Sequence, residues 1–294
     1  MSTQSRLLRG GARAAVGLIV VGVAASAVLL LNNATLPAVA REPLAITVDT
    51  TLDTARTLVC AGSFTELGAD PSRPGVAIPT GAPAVTIAGK DEASTELTRV
   101  ENGTGLPTVL TSPADVPLGA AQIQAVTTEV LRGTAASSCT EPVNEQWLLG
   151  GSTTLGVSTT LSLANPGKVP ATVQITVYDE NGPVDAVQTS GVLVAPGEEQ
   201  IVSLNGYAPE RERLAVQVVS SGAPVSAALG VGEVSGIQPF AVSSVTRQLE
   251  SAPTLGVPGI TNVSTETHEH TDNVVAHDEF PVAVRVLAPG GETA

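Results

Sequence analysis

Leu161-Ser162-Leu163-Ala164-Asn165-Pro166-Gly167, followed by Ala171-Thr172-Val173-Gln174-Ile175-Thr176-Val177-Tyr178-Asp179-Glu180-Asn181-Gly182-Pro183, decides the fold class. Leu161 and Leu163 alternate with Thr160 and Ser162, and Asn-Pro-Gly then breaks the run. Val173, Ile175 and Val177 fall on one face of the next stretch, with Thr172, Gln174, Thr176 and Tyr178 on the other. A period of two is the signature of a half-buried strand, and Asp-Glu-Asn-Gly-Pro is turn chemistry. Working outward, Val192 and Val194 lead to Ala195-Pro196-Gly197-Glu198, then Ile201, Val202 and Leu204. Leu214, Val216 and Val218 precede a turn at Ser221-Gly222-Ala223-Pro224, and Val225, Ala227 and Leu229 follow it. Close-set alternating strands with no amphipathic helix between them predict an antiparallel sandwich of immunoglobulin-like size over residues 145–250.

Residues 44–142 carry weaker strand signals: Ile46 and Val48, Leu58-Val59-Cys60, Val85-Thr86-Ile87 and Gln122 to Leu131. In the last of these Ile123, Val126 and Val130 also suit a helical face, but the flanking turns and Thr127-Thr128 favour strand. This stretch is expected to be a first, less regular β domain. A polar stretch, 251–281, reads as linker. Val282, Val284 and Val286 then alternate into Leu-Ala-Pro-Gly, which suggests that 282–294 opens a further sandwich. The expected fold class is all-β, as tandem immunoglobulin-like antiparallel sandwiches after one N-terminal transmembrane helix.

That helix is read from Ala14 to Leu31, an almost unbroken apolar run preceded by Arg6, Arg9 and Arg13 in the basic segment 1–13. Eighteen residues at the α-helical rise span about 27 Å, close to the hydrocarbon thickness of a bilayer. The basic flank belongs in the cytoplasm, so everything after Leu31 is expected outside. Ala38-Val39-Ala40 fits a signal-peptidase site, yet the apolar run is longer than a usual signal core. An uncleaved single-pass anchor at the cell membrane is the preferred reading; secretion after cleavage at Ala40 is the alternative. Cys60 and Cys139 are the only cysteines. Both would lie in an oxidising compartment, where a mutual disulfide is their expected state.

Three of the 14 basic residues and none of the 28 acidic ones lie in residues 1–40, which leaves the rest at −17. A surface so acidic excludes nucleic acid as a partner, because phosphate binding requires Lys and Arg. The expected partners are the membrane, through the N-terminal helix, and another component of the cell envelope.

Thr57-Leu58-Val59-Cys60-Ala61-Gly62, Cys139-x-x-Pro142, Trp147 through Gly151, Leu-Ala-Asn-Pro-Gly and Pro170-Ala171-Thr172-Val173, together with the anchor, carry a resemblance. The chain resembles an actinobacterial family of secreted or membrane-anchored proteins of unknown function with tandem immunoglobulin-like sandwiches. The resemblance implies architecture and an envelope location. It supplies no activity, ligand or catalytic residue.

Candidate chemistry is sparse. His268, His270 and His277 lie in one acidic tract and could ligate a transition metal, though their spacing matches no specific motif. A solvated linker that happens to hold the histidines is the plainer reading, and no cofactor is expected. There is no Gly-x-Ser-x-Gly elbow and no acid and base pair, so the chain is read as non-enzymatic. Trp147, the single Trp, is expected to anchor a core; a carbohydrate-stacking platform is its sharper alternative. The resulting expectation is a non-catalytic binding or spacing ectodomain, with a metal- or glycan-binding ectodomain as the alternative.

Overall fold

The computed structural model describes residues 55–68, 70, 72–73, 75–90, 92–99, 104–184, 191–236, 238–248, 254, 256 and 285–288. The expected membrane segment, 14–31, and the histidine tract lie outside the described residues. Among the described residues no helix is long and apolar enough to cross a membrane. All described residues belong to one compact unit, Ile46–Ala294.

The chain is all-β. Ala55–Cys60 (β1), Thr65–Leu67 (β2), Ala77–Pro79 (β3), Ala84–Ala88 (β4) and Ala93–Glu96 (β5) come first. Thr98–Arg99 (β6), Thr108–Pro113 (β7), Gly119–Thr127 (β8) and Arg132–Ser138 (β9) complete the amino-terminal part. Glu145–Leu149 (β10), Val157–Ala164 (β11), Ala171–Asp179 (β12), Gly182–Pro183 (β13) and Val192–Val194 (β14) follow. Glu198–Ser203 (β15), Ala215–Gly222 (β16), Ser226–Ser235 (β17) and Gln238–Thr246 (β18) are the last, with one helical turn at Leu204–Tyr207.

Two five-stranded sheets dominate. One runs β10-β16-β12, with β13 and β14 both paired to β12; the other runs β18-β17-β11-β15-β6. They face each other across one apolar cluster that includes Leu148, Leu161, Leu163, Val173, Ile175, Val218 and Leu229. The alternation read from the sequence places these side chains: Val173, Ile175 and Val177 are buried, and the residues between them are not. Each fully buried Leu or Ile contributes about 2 kcal/mol relative to exposure. Asn165, fully buried at the end of β11, holds the turn it was read to make. Its Nδ2 donates to Val169 O at 2.9 Å and Val194 O at 3.0 Å, and its Oδ1 accepts from Gly167 N at 2.9 Å.

The expectation of two consecutive sandwiches is corrected here. Residues 55–142 form small sheets, β1-β7-β5, β4-β8-β9 and β2-β3, set in a propeller-like ring with the larger ones. Strand β6 leaves that stretch to pair in parallel with β15, Thr98 opposite Glu198 and Arg99 opposite Glu199. The physical reason lies in side-chain composition. Every residue of β5 is exposed and β4 is nearly so, leaving these strands little to bury among themselves.

Strand β8 shows what replaces an apolar core. Its inward residues are Gln122, Gln124 and Val126, while Ile123 faces outward and is 51 % exposed. The two amides act as backbone partners for the segment 61–65. Gly62 N donates to Gln122 Oε1 at 3.1 Å, Gln122 Nε2 donates to Gly62 O at 3.0 Å, and Phe64 N donates to Gln124 Oε1 at 2.8 Å. Buried backbone groups without a ladder need such partners. Gly62 (φ +79°) is required here, because a Cβ would lie 2.7 Å from Gly105 O and 2.8 Å from Pro107 N.

Candidate functional site

Cys60 and Cys139 are joined by a disulfide, as expected. Cys60 ends β1 and Cys139 follows β9, and both sit in a buried cluster with Leu58, Leu110 and Leu118. The bridge is structural: neither sulfur is available for nucleophilic or metal chemistry. His268, His270 and His277 lie outside the described residues. Among the described residues, no group of three potential metal ligands comes together.

The residues suited to binding lie on the outer face of the β10-β16-β12 sheet. In that sheet Trp147 stands opposite Gln217 and Gln217 opposite Thr176. One row along, Leu149, Ala215 and Tyr178 align in the same way. Trp147 and Tyr178 thus sit on strands two apart, with small Ala215 and the flexible Gln217 between them. Their rings meet over this gap at a centroid distance of 5.3 Å and an interplanar angle of 48°. Beside them Gln217 Nε2 donates to Glu145 Oε1 at 2.8 Å.

The reading of Trp147 as a core anchor is corrected by this geometry: Gln146 and Leu148 take the inward positions of β10 and Trp147 is only half-buried, on the outer face. Gln146 is needed inside. Its Nε2 donates to Val225 O at 2.8 Å and its Oε1 accepts from Ala227 N at 3.1 Å, tying the two large sheets together. Period two then sends Trp147 outward.

Tyr178 also walls a concavity of about 330 Å³, lined by Leu149, Asp179, Glu180, Arg213 and Arg285 among others. Asp179 is held by Arg211, whose Nη1 donates to its Oδ2 at 3.0 Å. Arg285 Nη1 donates to Gly151 O at 3.0 Å, which fixes that side chain against the start of the loop after β10. Partial burial holds the Arg285 guanidinium below its ordinary pKa, the nearby Arg213 charge lowers it further, and Glu233 opposes both. Of the segment 282–294, the described part, Arg285–Ala288, is not in a strand, and Val286 is exposed.

The alternation assigns Tyr178 to the correct face but gives it no role, and Arg213 carries no local signal. The alternation around Val173, Ile175 and Val177 carried the signal for Tyr178. Nothing local marked Arg285, which reaches the site from 134 residues beyond Gly151. The arrangement offers an aromatic surface, amides, carboxylates and guanidinium groups, which suits holding a polar ligand.

No curated protein matches this chain in sequence. Thermotoga maritima 1070, known from its crystal structure, is similar over 37 % of this chain and 96 % of its own, at 17 % identity and a TM-score of 0.32. A likeness at that level carries no argument about fold or activity. The model of a family of unknown function, DUF5719, matches residues 75–294, three-quarters of the sequence including the aromatic face and both arginines. The chain belongs to that family of unknown function.

Proposed function

We propose that this is an exported protein, held at a cell membrane by residues 14–31, whose β part outside the membrane is a non-catalytic binding or spacing module. The Cys60–Cys139 disulfide carries the reading, because such bridges persist where the surroundings are oxidising. The Arg-flanked apolar run supports the anchor. Two sheets sharing one core support an immunoglobulin-like reading of Glu145–Thr246. Protease treatment of intact cells, with mass spectrometry of the chain's N-terminus, tests the topology. The expected result is a membrane-bound chain that retains residues 1–40 and is digested from outside. A mature chain that starts at Arg41 overturns the anchor, and a chain protected from external protease overturns export.

The outward position of Trp147 favours a glycan as the ligand. A sugar ring offers C–H groups to an aromatic face and hydroxyls to flanking amides and carboxylates, and Trp147, Tyr178, Gln217 and Glu145 supply both. Trp147 is the only Trp, so its fluorescence reports directly on the face. Titration with envelope oligosaccharides is expected to change that emission. Tyr178→Ala is expected to weaken binding about tenfold, the equivalent of about 1.4 kcal/mol. An emission that no oligosaccharide alters defeats the glycan reading.

A further inference from the structure

We infer that the pocket beside Tyr178 takes an acidic sugar, a pyranose bearing a carboxylate, with Arg213 and Arg285 binding its charge. This rests on the glycan reading and narrows it. The chain carries a net charge of −14, with only 14 basic residues against 28 acidic ones. Two of those basic residues nevertheless line one concavity of about 330 Å³. Among the described residues neither Arg213 nor Arg285 has a carboxylate within salt-bridge distance, whereas Arg211, two residues from Arg213, is paired with Asp179. Placing two guanidinium groups together costs free energy in the empty pocket, and a bound anion removes that cost.

The other walls distinguish a sugar acid from a bare anion. Tyr178 presents an aromatic face, and its contact with Trp147 keeps that ring from swinging freely. Leu149 adds apolar surface beside it. Glu180, exposed at the rim, can accept hydrogen bonds from sugar hydroxyls, and it would repel an anion that had no hydroxyls to offer. Asp179 is neutralised by Arg211 at 3.0 Å and so does not cancel the charges of Arg213 and Arg285, and Glu233, which acts on Arg285, is not within salt-bridge distance of it. The volume is at the lower end of ligand pockets, about 300–1,000 Å³, which suits one ring of a longer chain whose neighbours lie over Trp147.

The test uses the full chain in a detergent without a sugar headgroup, read by Trp147 fluorescence. Trigalacturonate is titrated against cellotriose as the neutral control, with inorganic phosphate as a competitor. The acidic trisaccharide is expected to bind at least tenfold tighter than the neutral one, and to lose that advantage at high salt. Arg213→Gln and Arg285→Gln are each expected to remove most of the preference, and Arg213→Gln, at an exposed residue, is expected to do so without changing Tm. Equal affinity for the two sugars, or a preference that survives in the double variant, overturns the acidic assignment and leaves the glycan reading standing. Phosphate that displaces trigalacturonate as well as free galacturonate does overturns the sugar in favour of a bare anion. No response to any of the sugars overturns both the acidic assignment and the glycan reading.

Discussion

Arg99→Met is expected to destabilise the protein by about 3–5 kcal/mol, because it leaves a buried carboxylate without its partner. Arg99 and Glu199 are only 4 % and 2 % exposed, and they stand opposite each other where β6 joins β15. Arg99 Nε and Nη2 donate to Glu199 Oε2 at 2.9 and 2.5 Å, and Ser162 Oγ donates to Oε1 at 2.6 Å. This pair is the buried ionic fastening between the amino-terminal strands and the large sheet, with Thr98 N and Oγ1 donating to Gly197 O nearby; the apolar contact beside it is the cluster of Val59, Leu97, Val109 and Ala164. Burial raises the Glu199 carboxyl above its ordinary pKa, and Arg99 is the largest influence pulling it back down.

Without Arg99 the raised value climbs further, and the sign of the pH dependence follows. A carboxyl whose folded pKa exceeds its unfolded one binds its proton more tightly in the folded state. Its contribution is therefore most favourable below the unfolded value and is lost as pH rises through the folded one. The deficit of Arg99→Met is expected to be smaller near pH 4 than near pH 7. Urea unfolding at the two pH values checks this. The double variant Arg99→Met with Glu199→Leu is expected to recover most of the loss, since no unpaired charge remains. A single-variant loss below about 1 kcal/mol would show that the pair is not a fastening at all.

The contrast between the large sheets and the rest shows which physical signals a sequence carries. Strands β12 and β16 bury one face in apolar side chains and show solvent the other, so alternation alone locates Ile175 and Val218 in the core. Strand β17 is different, being covered on both sides. Its one face is Ala227, Leu229 and Val231, and its other face is Ser226, Ala228, Gly230 and Gly232. A Cβ at Gly230 would lie 3.3 Å from the Phe64 ring, and one at Gly232 would lie 2.8 Å from Leu131. That stripe of small residues was a readable sign of a second layer, and it is where the amino-terminal strands pack.

Other elements obeyed no such pattern. Hydrophobicity marks Ile123 as inward and Gln122 and Gln124 as outward, and the reverse holds, because the amides satisfy backbone groups that no strand reaches. In β10, Trp147, Leu148 and Leu149 are all apolar, so alternation cannot choose a face. The choice is made by Gln146, whose partners Val225 and Ala227 lie about 80 residues away. The aromatic site therefore depends on long-range polar pairing, which a local pattern does not encode.

Replacing both Cys60 and Cys139 by Ala is expected to cost about 4.5 kcal/mol, the chain-entropy value for a loop of roughly 80 residues. The observed separation is 79. The bridge closes a long loop between the end of β1 and the residue after β9. Next to it Val59 N donates to Thr140 O at 2.9 Å and Thr140 N donates to Val59 O at 3.0 Å. Those two bonds, the antiparallel pairing of β1 with β7, the bond from Cys139 N to Ala120 O at 2.9 Å and the small cluster around Leu58, Leu110 and Leu118 remain locally when the bridge is removed. Around them are three-stranded sheets with exposed edge strands, which bury too little to hold β1 in place unaided. The loss should therefore be local before it is global. Hydrogen exchange is expected to show weakened protection in β1, β7 and β8, while β11, β12, β16 and β17 keep theirs, because their shared core contains neither cysteine. A stability loss below about 1 kcal/mol by urea unfolding would show that these strands hold without the bridge. Protection falling equally in all the strands would show that the two halves unfold as a single cooperative unit, with the Arg99–Glu199 fastening transmitting the damage.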